Sequence, residues 1–149
     1  MLETIHEYAL EKLDESGEAE VICQRHAKYY LARGEIEGPR LVDWLGRLSA
    51  ELDNLRAVVR WAVETGNAEL GLRFGSAVER FLEVRGHLDE GQRWLDSVLA
   101  IDAAAPAAVR ARALYVAGTL ARGRGQYARR NACHQESLEL YRTMACRWR

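Results

Sequence analysis

A repeat of 39 residues constrains this chain more than any other feature of its sequence. Gly86-His87-Leu88 aligns with Gly125-Gln126-Tyr127. Further along, Ser97-Val98-Leu99 aligns with Glu136-Ser137-Leu138. Each unit has the pattern of a helix, a tight glycine turn and a second helix. Helical patterns that recur every 20 to 50 residues or so are typical of stacked arrays, which present an extended surface for binding and seldom carry out chemistry.

Apolar residues at helical spacing predict an all-α fold for the whole chain. No stretch alternates apolar and polar residues between turn signals, so no strand is predicted. The Asp53-Asn54 pair leaves open whether the third helical stretch is one helix or two. The predicted helices cover residues 2–15, 18–36, 40–65, 68–85, 88–101, 107–123 and 126–143.

Composition indicates a globular protein rather than a membrane or secreted one. The 149 residues, 48% of them hydrophobic, are enough for one domain with a core. No apolar run approaches the length of a membrane span, and the acidic N-terminus has no apolar signal segment. Cys23, Cys133 and Cys146 are odd in number and widely spaced, which argues against a disulfide framework and for a reducing compartment. We therefore expect a cytoplasmic protein with no membrane contact.

The charges are unevenly distributed along the chain. Residues 1–104 carry twelve Lys and Arg against twenty Asp and Glu, whereas residues 105–149 carry nine Arg against two Glu. Such a split is found in proteins that bind nucleic acids or acidic ligands. The favoured interpretation is that the acidic and basic parts of a stacked array attract each other.

The residues that most often carry chemistry are poorly placed for it here. Lys12 and Lys28, the only lysines, do not follow a glycine-rich loop, so no phosphate-binding Walker motif is present. Cys23 lies three residues from His26, and Cys133-His134 are adjacent, but neither pair has the further ligands that a metal site needs. No serine lies in a nucleophile-elbow context. We expect no enzymatic activity, no cofactor and no metal.

Residues 111–143 resemble a tetratricopeptide repeat. Gly118 stands where that motif has a small residue between its two helices. Gly125 and Tyr127 match the turn and the aromatic residue after it, and Ser137-Leu138 match the small-large pair near the end of the second helix. The resemblance implies a right-handed array of stacked antiparallel helix pairs, in which a small residue lets the helices approach closely.

The resemblance has one departure and one weaker copy. Arg130 stands where an alanine is expected early in the second helix, unless the register slips to Ala132. Residues 72–103 form the weaker copy, with Glu79 at the small position of its first helix and Gly91 at that of its second.

A second resemblance covers nearly the whole chain. It is to bacterial STAND-type regulators, the multidomain ATPase regulators that include MalT-like, LuxR-type and AfsR/SARP-type transcription factors. The segments that carry it are residues 2–13, Arg25-His26-Ala27, Tyr29-Tyr30-Leu31, residues 51–57 with Trp61-Ala62, and residues 85–91 with Trp94-Leu95.

This second resemblance implies a part of a larger regulator. Residues 1–16 would end a winged-helix segment, residues 17–66 would form a helical linker, and residues 67–149 would form two tetratricopeptide-like helix pairs. Residues 141–149 look like the start of a further repeat, so we expect the array to be cut short at its C-terminus. The implied function is that of a sensor segment that binds a protein, a peptide or a small effector.

Tetratricopeptide geometry would line the inner groove with residues from the first helix of each pair. Arginines there would bind carboxylates or phosphates, unless they pair with acidic residues of the same or adjacent helices. The residues expected in the groove are Arg73, Arg80, Arg112, Tyr115, Thr119 and Arg122, with Ser76 and Glu83 beside them.

Two other functions remain open. One is direct nucleic-acid binding through the arginines of the C-terminal third: Arg122, Arg124, Arg129, Arg130 and Arg142. Aromatic residues for base stacking are sparse there, so we do not expect direct contact with nucleic acid. The other is an inert structural scaffold. Self-association is also expected, because an array cut within a repeat exposes apolar surface.

Overall fold

The computed structural model describes residues 41–101 and 105–146, with isolated positions 12, 17, 21, 24, 25, 28 and 29. The two continuous segments are helical and contain no strand, which confirms the all-α prediction for them. The helices predicted over 2–15 and 18–36 lie outside these segments. The seven helices are α1 (Leu41–Ala50), α2 (Leu52–Glu64), α3 (Ala68–Ala77), α4 (Glu79–Arg85), α5 (Leu88–Leu99), α6 (Ala107–Gly123) and α7 (Tyr127–Cys146).

Two helical stretches differ from the sequence prediction, and a third is resolved between the two alternatives that the sequence left open. The stretch 40–65 is two helices, α1 and α2, which meet at Glu51. The stretch 68–85 is divided at Val78, whose ψ of 5° departs from helical geometry. The helix predicted over 126–143 continues to Cys146, so residues 141–146 of the segment expected to start a further repeat belong to α7. No glycine or proline interrupts the helix before Cys146.

The same turn closes the first helix of each repeat. Gly86 and Gly125 have φ values of 76° and 72°, in the left-handed region that favours glycine. In both turns, the N–H of the residue after the glycine donates to the carbonyl five residues earlier, at 2.9 Å. This bond caps the end of the helix. The same turn also ends α2, where Gly66 has a φ of 67° and the Asn67 N–H donates to the Ala62 carbonyl at 2.8 Å, so this geometry is not confined to the 39-residue spacing.

The first helix pair consists of α3 and α4 on one side and α5 on the other, and the second pair consists of α6 and α7. Close contacts show that α3 and α5 run antiparallel. A β-carbon at Gly71 would lie 2.6 Å from Cγ1 of Val98, and one at Gly75 would lie 2.7 Å from Cδ2 of Leu95. The later residue of α3 therefore faces the earlier residue of α5, as expected for two helices that run in opposite directions. The glycines allow the two backbones this approach.

The second pair is antiparallel as well, and its small residue is in α6. Gly118 faces His134 and the carbonyl of Arg130, while the Ser137 hydroxyl donates to the Ala111 carbonyl at 2.7 Å. The register does not slip to Ala132, which is exposed.

The Arg130 side chain is accommodated by pointing away from this contact. Its Nε donates to the side-chain oxygen of Asn131 at 3.1 Å. Its guanidinium carbon lies 6.0 Å from the centre of the Tyr127 ring. The backbone carbonyl of Arg130 is the part of this residue that lies against Gly118.

Helices α6 and α7 have contrasting environments. Helix α6 packs against α3, α4, α5 and α7 and is buried on most sides. Helix α7 packs against α6, and Ser137 is its single buried residue. A large face of α7 is consequently left without a helix against it in the described segments. Among these residues, no helix combines the length and the apolar character required to cross a membrane.

Candidate partner-binding surface

One stripe of α6 remains exposed, and it holds four of the residues predicted for the groove. Arg112, Tyr115 and Arg122 are exposed, and Thr119 is half-buried. Their spacing of three, four and three residues places them on one face of the helix. The Thr119 hydroxyl donates to the Tyr115 carbonyl at 3.1 Å, so it is already engaged with the helix itself.

The two predicted groove residues of the first pair are exposed but neutralised by neighbours on their own helices. Arg73 lies 2.8 Å from the Glu69 carboxylate, one turn earlier in α3. Arg80 lies 3.9 Å from the Glu83 carboxylate in α4. Pairing within a helix is the alternative that the sequence left open for these arginines.

An ion pair joins α4 of the first helix pair to α6 of the second. Arg112 of α6 contacts the Glu79 carboxylate of α4 at 3.0 Å. The Glu79 side chain is only 17% exposed. Burial raises the pKa of Glu79 above its ordinary value, and the charge of Arg112 opposes that shift. Glu79 thus occupies the position where the repeat motif has a small residue, and its carboxylate binds Arg112 of the second repeat.

An aromatic platform lies where α6 meets α7. The ring of Tyr115 stacks on that of His134, with centroids 5.1 Å apart and 15° between the planes. The guanidinium carbon of Arg112 lies 5.5 Å from the centre of the Tyr115 ring. His134 Nε2 is 3.3 Å from the Tyr115 carbonyl oxygen. Tyr115 is held in place in this way while 45% of it stays exposed.

His134 was not predicted as part of this surface. The sequence presented it only as a neighbour of Cys133. The signal that would have found it is the antiparallel register of the second pair, which places His134 opposite Gly118. Within residues 41–101 and 105–146, no group of three potential ligands could hold a metal ion. Cys23 and His26 lie outside the described residues.

Arg122 differs from the other groove arginines. It is exposed near the C-terminal end of α6, and it forms no ion pair with any residue of the two described segments. The other three each lie near a carboxylate. Arg122 therefore combines a full positive charge with freedom to bind an anionic group.

The acidic and basic parts of the chain meet at α5. Asp89 pairs with Arg124 in the turn before α7, and Asp96 pairs with Arg129 of α7. Two of the five arginines considered for nucleic-acid binding therefore have structural partners. Mutual attraction of the two halves, the favoured interpretation of the charge split, is observed at these contacts.

A further ion pair ties the preceding segment to the repeats. Arg56 of α2 donates to both oxygens of Glu90 in α5, at 2.6 and 3.2 Å, and to Asp53 at 2.8 Å. These hydrogen bonds raise the pKa of the Arg56 guanidinium. Arg56 belongs to the segment 51–57 that carries the resemblance to STAND-type regulators, and its role here is to join helices.

Comparison with known proteins finds relatives among regulators of transcription. A protein of Mycobacterium bovis and two of Mycobacterium tuberculosis, each named "Putative HTH-type transcriptional regulator", are 40% identical to this chain over 125 residues. The match covers 76% of this chain and 14% of each relative. No family model matches the chain, and no solved structure matches it. The chain is thus related to bacterial transcriptional regulators and spans a small part of their length.

Proposed function

We propose that this chain is the partner-binding segment of a bacterial transcriptional regulator and has no catalytic activity of its own. The observation that carries the proposal is the exposed stripe of α6, an otherwise buried helix. It holds the Tyr115–His134 platform and Arg122, which forms no ion pair within the described residues. The similarity to transcriptional regulators supports the regulatory role.

The architecture that we propose is a tetratricopeptide-like array of two helix pairs within residues 67–149. Support comes from the two antiparallel pairs and from the similar glycine turns at Gly86 and Gly125, which lie 39 residues apart. Residues 1–16 would end a winged-helix segment and residues 17–66 would link it to the array. A regulator of this kind would act in the cytoplasm, where it meets DNA.

Protein or peptide ligands suit the α6 stripe best, and a small effector is a narrower alternative. Tyr115 offers a fixed aromatic surface, and Arg122 offers a cation for a carboxylate or phosphate. Arg73, Arg80 and Arg112 contribute less, because their carboxylate partners would have to be displaced first. Thr119 lines the stripe without a free hydroxyl proton.

Binding at this stripe would affect contacts that hold the array together. Arg112 contacts the ligand-facing Tyr115 and also anchors Glu79 of the first pair. The first pair is in turn held to α2 by the Arg56–Glu90 pair. A chain of contacts therefore leads from the proposed site toward the segment that would join the rest of the regulator.

Direct nucleic-acid binding is a second candidate, and one observation favours it. Arg122 and Arg142 are exposed without ion pairs to described residues, and Arg130 lies beside the Tyr127 ring. Arg124 and Arg129 are held by carboxylates of α5, which lowers the positive charge available to phosphates. An inert scaffold is the remaining alternative.

The proposal is tested by affinity capture from a bacterial lysate, with and without nuclease. The immobilised chain is compared with Arg122→Glu and Tyr115→Ala, and with Arg93→Glu, a matched reversal at an exposed arginine of α5. We expect a protein that the wild type and Arg93→Glu retain and the other two variants lose, irrespective of nuclease. Capture that nuclease abolishes would favour the nucleic-acid function, and no capture would favour the scaffold. Thermal melting by circular dichroism checks that each variant is folded.

A further inference from the structure

The outward face of α7 is open at positions whose counterparts in the first repeat are covered. Leu88 and Leu99 of α5 pack against the core, and Leu88 lies against Gly123 at the end of α6. The residues 39 positions later are Tyr127 and Leu138 of α7. They are 62% and 48% exposed. Helix α6 covers the first repeat, whereas no described helix covers the second.

The exposed large apolar residues of α7 are Tyr127, Leu138 and Tyr141, and they recur along one side of the helix, here called the α7 stripe. Together with the half-buried His134, they are separated by seven, four and three residues and therefore share one side of the helix, with Arg130 and Asn131 between the first two. The stripe extends for about 21 Å along α7. Arg129, which pairs with Asp96 of α5, points to the opposite side. The stripe adjoins the α6 surface through the Tyr115–His134 stack.

The charges that fix α6 and α7 on the first repeat have no counterparts in the second. Three carboxylates hold arginines of the second pair: Glu79–Arg112, Asp89–Arg124 and Asp96–Arg129. Shifted by 39 residues, the three acidic positions become Gly118, Ala128 and Gln135. Helix α6 itself carries three arginines and no acidic residue. A helix with the chemistry of α6 would consequently find no ionic partner at these three positions, and the two carboxylates of α7, Glu136 and Glu139, lie elsewhere on the helix.

The cations at the border of the stripe favour an acidic occupant rather than a basic helix such as α6. Arg122 at the end of α6 and Arg142 of α7 are exposed, and neither forms an ion pair with a described residue. Apolar contacts in the middle and cations at the edges are complementary to an amphipathic helix with acidic flanks. We propose that the α7 stripe is a docking site for such an acidic amphipathic helix of a partner protein. The inference rests on the proposed partner-binding function and specifies its site and the chemistry of its ligand.

The test uses the complete chain and a synthetic helical peptide as the probe. The acidic peptide, of about 18 residues, has leucines on one face and glutamates along both edges. A matched peptide replaces every glutamate with lysine, and a third has the sequence of residues 107–124. Binding is followed by fluorescence anisotropy at low and high salt. Of the three peptides, we expect only the acidic one to bind saturably, and we expect high salt to weaken its binding.

Variants then locate the site. Leu138→Asp should weaken binding of the acidic peptide about tenfold, and Arg142→Glu should weaken it without changing the apolar stripe. Val84→Asp is the control, since Val84 of α4 is 49% exposed and lies outside the stripe. If Leu138→Asp lowers the melting temperature, the comparison rests on Arg142→Glu.

Several results would overturn the inference: equal binding of the lysine peptide, failure of the acidic peptide to bind, or binding that neither α7 variant weakens. Light scattering that shows a dimer abolished by Leu138→Asp would also overturn it, because the occupant would then be a second copy of the chain. A lysate protein lost with Tyr115→Ala but retained with Leu138→Asp would leave the proposed function standing while the α7 site failed. If the chain captured no lysate protein and did not bind the acidic peptide, both the proposed function and the α7 site would be refuted.

Discussion

The ring of His134 occupies the space where a β-carbon on Gly118 would stand. The Arg130 carbonyl, 3.2 Å from that same point, closes the space from the backbone side. Because the residue is glycine, α7 approaches α6 closely enough for His134 to stack on Tyr115. A small residue that the sequence marks as a packing position therefore also builds part of the candidate binding surface.

We predict that Gly118→Ala lowers the free energy of unfolding by about 1 to 3 kcal/mol, because the added methyl group overlaps the imidazole. His134→Ala removes the ring, so the double variant should be less destabilised than the sum of the single changes. Urea unfolding followed by circular dichroism measures all four proteins. Gly46→Ala is the control: a β-carbon there meets nothing within 4 Å, and alanine should be neutral or slightly stabilising. If the losses of the two single variants simply add up in the double variant, the His134 ring is not what the added methyl group overlaps.

The burial of Glu79 predicts a specific pH dependence of stability. The folded-state pKa of this carboxyl lies above its ordinary value of 4.5. The folded state therefore holds the proton to higher pH than the unfolded state does. Its contribution to stability is largest below pH 4.5 and declines as the pH rises through the folded pKa.

Glu79→Gln should remove this decline, so the stability of the variant relative to wild type should improve between pH 4.5 and 7. Unfolding curves across that interval give the difference directly. The exposed carboxylate Glu64 on α2 provides the matched substitution, Glu64→Gln. A wild-type minus Glu79→Gln difference that rises with pH would contradict the assignment, since it would mean that Arg112 dominates over burial.

The Asp96–Arg129 pair should link α5 to α7 weakly and in a salt-dependent way. Its side chains are 39% and 43% exposed, so solvent screening limits its contribution to about 0.5 kcal/mol. Arg129→Glu should destabilise the chain by a similar amount at low salt, and the charge-swapped variant Asp96→Arg/Arg129→Glu should recover most of it. Thermal unfolding at two salt concentrations measures the effect. Loss that persists unchanged at high salt would point to packing of the arginine stem instead.

The two described cysteines should differ in reactivity. Partial burial raises the pKa of the Cys133 thiol, whereas Cys146 near the end of α7 is exposed. Since the thiolate is the reactive form, iodoacetamide should modify Cys146 first and Cys133 only slowly at pH 8. Mass spectrometry of timed digests follows each site. In Cys146→Ser, Cys133 should remain slow; fast labelling there would show that α7 opens readily from α6.

Local features of the sequence predicted the helices and their turns. The apolar periodicity located α5, α6 and α7 to within a few residues, and the glycines at 86 and 125 marked turns that need positive φ. Helix formation and glycine turns depend on neighbours in the chain, which is why a sequence reveals them. The break at Val78 has no such local signal and was missed.

The sequence by itself determined the helical repeat and the stripe of α6 residues that faces solvent, because both follow from the spacing of residues along a helix. Only the tertiary structure decided which arginines are free. Arg112 and Arg122 look alike in the sequence, yet one is held by Glu79 and the other is without an ion pair among the described residues. The position of His134 on Tyr115 was likewise set by how closely α7 packs on α6. Ion pairs and ring contacts depend on distances between helices, and packing sets those distances.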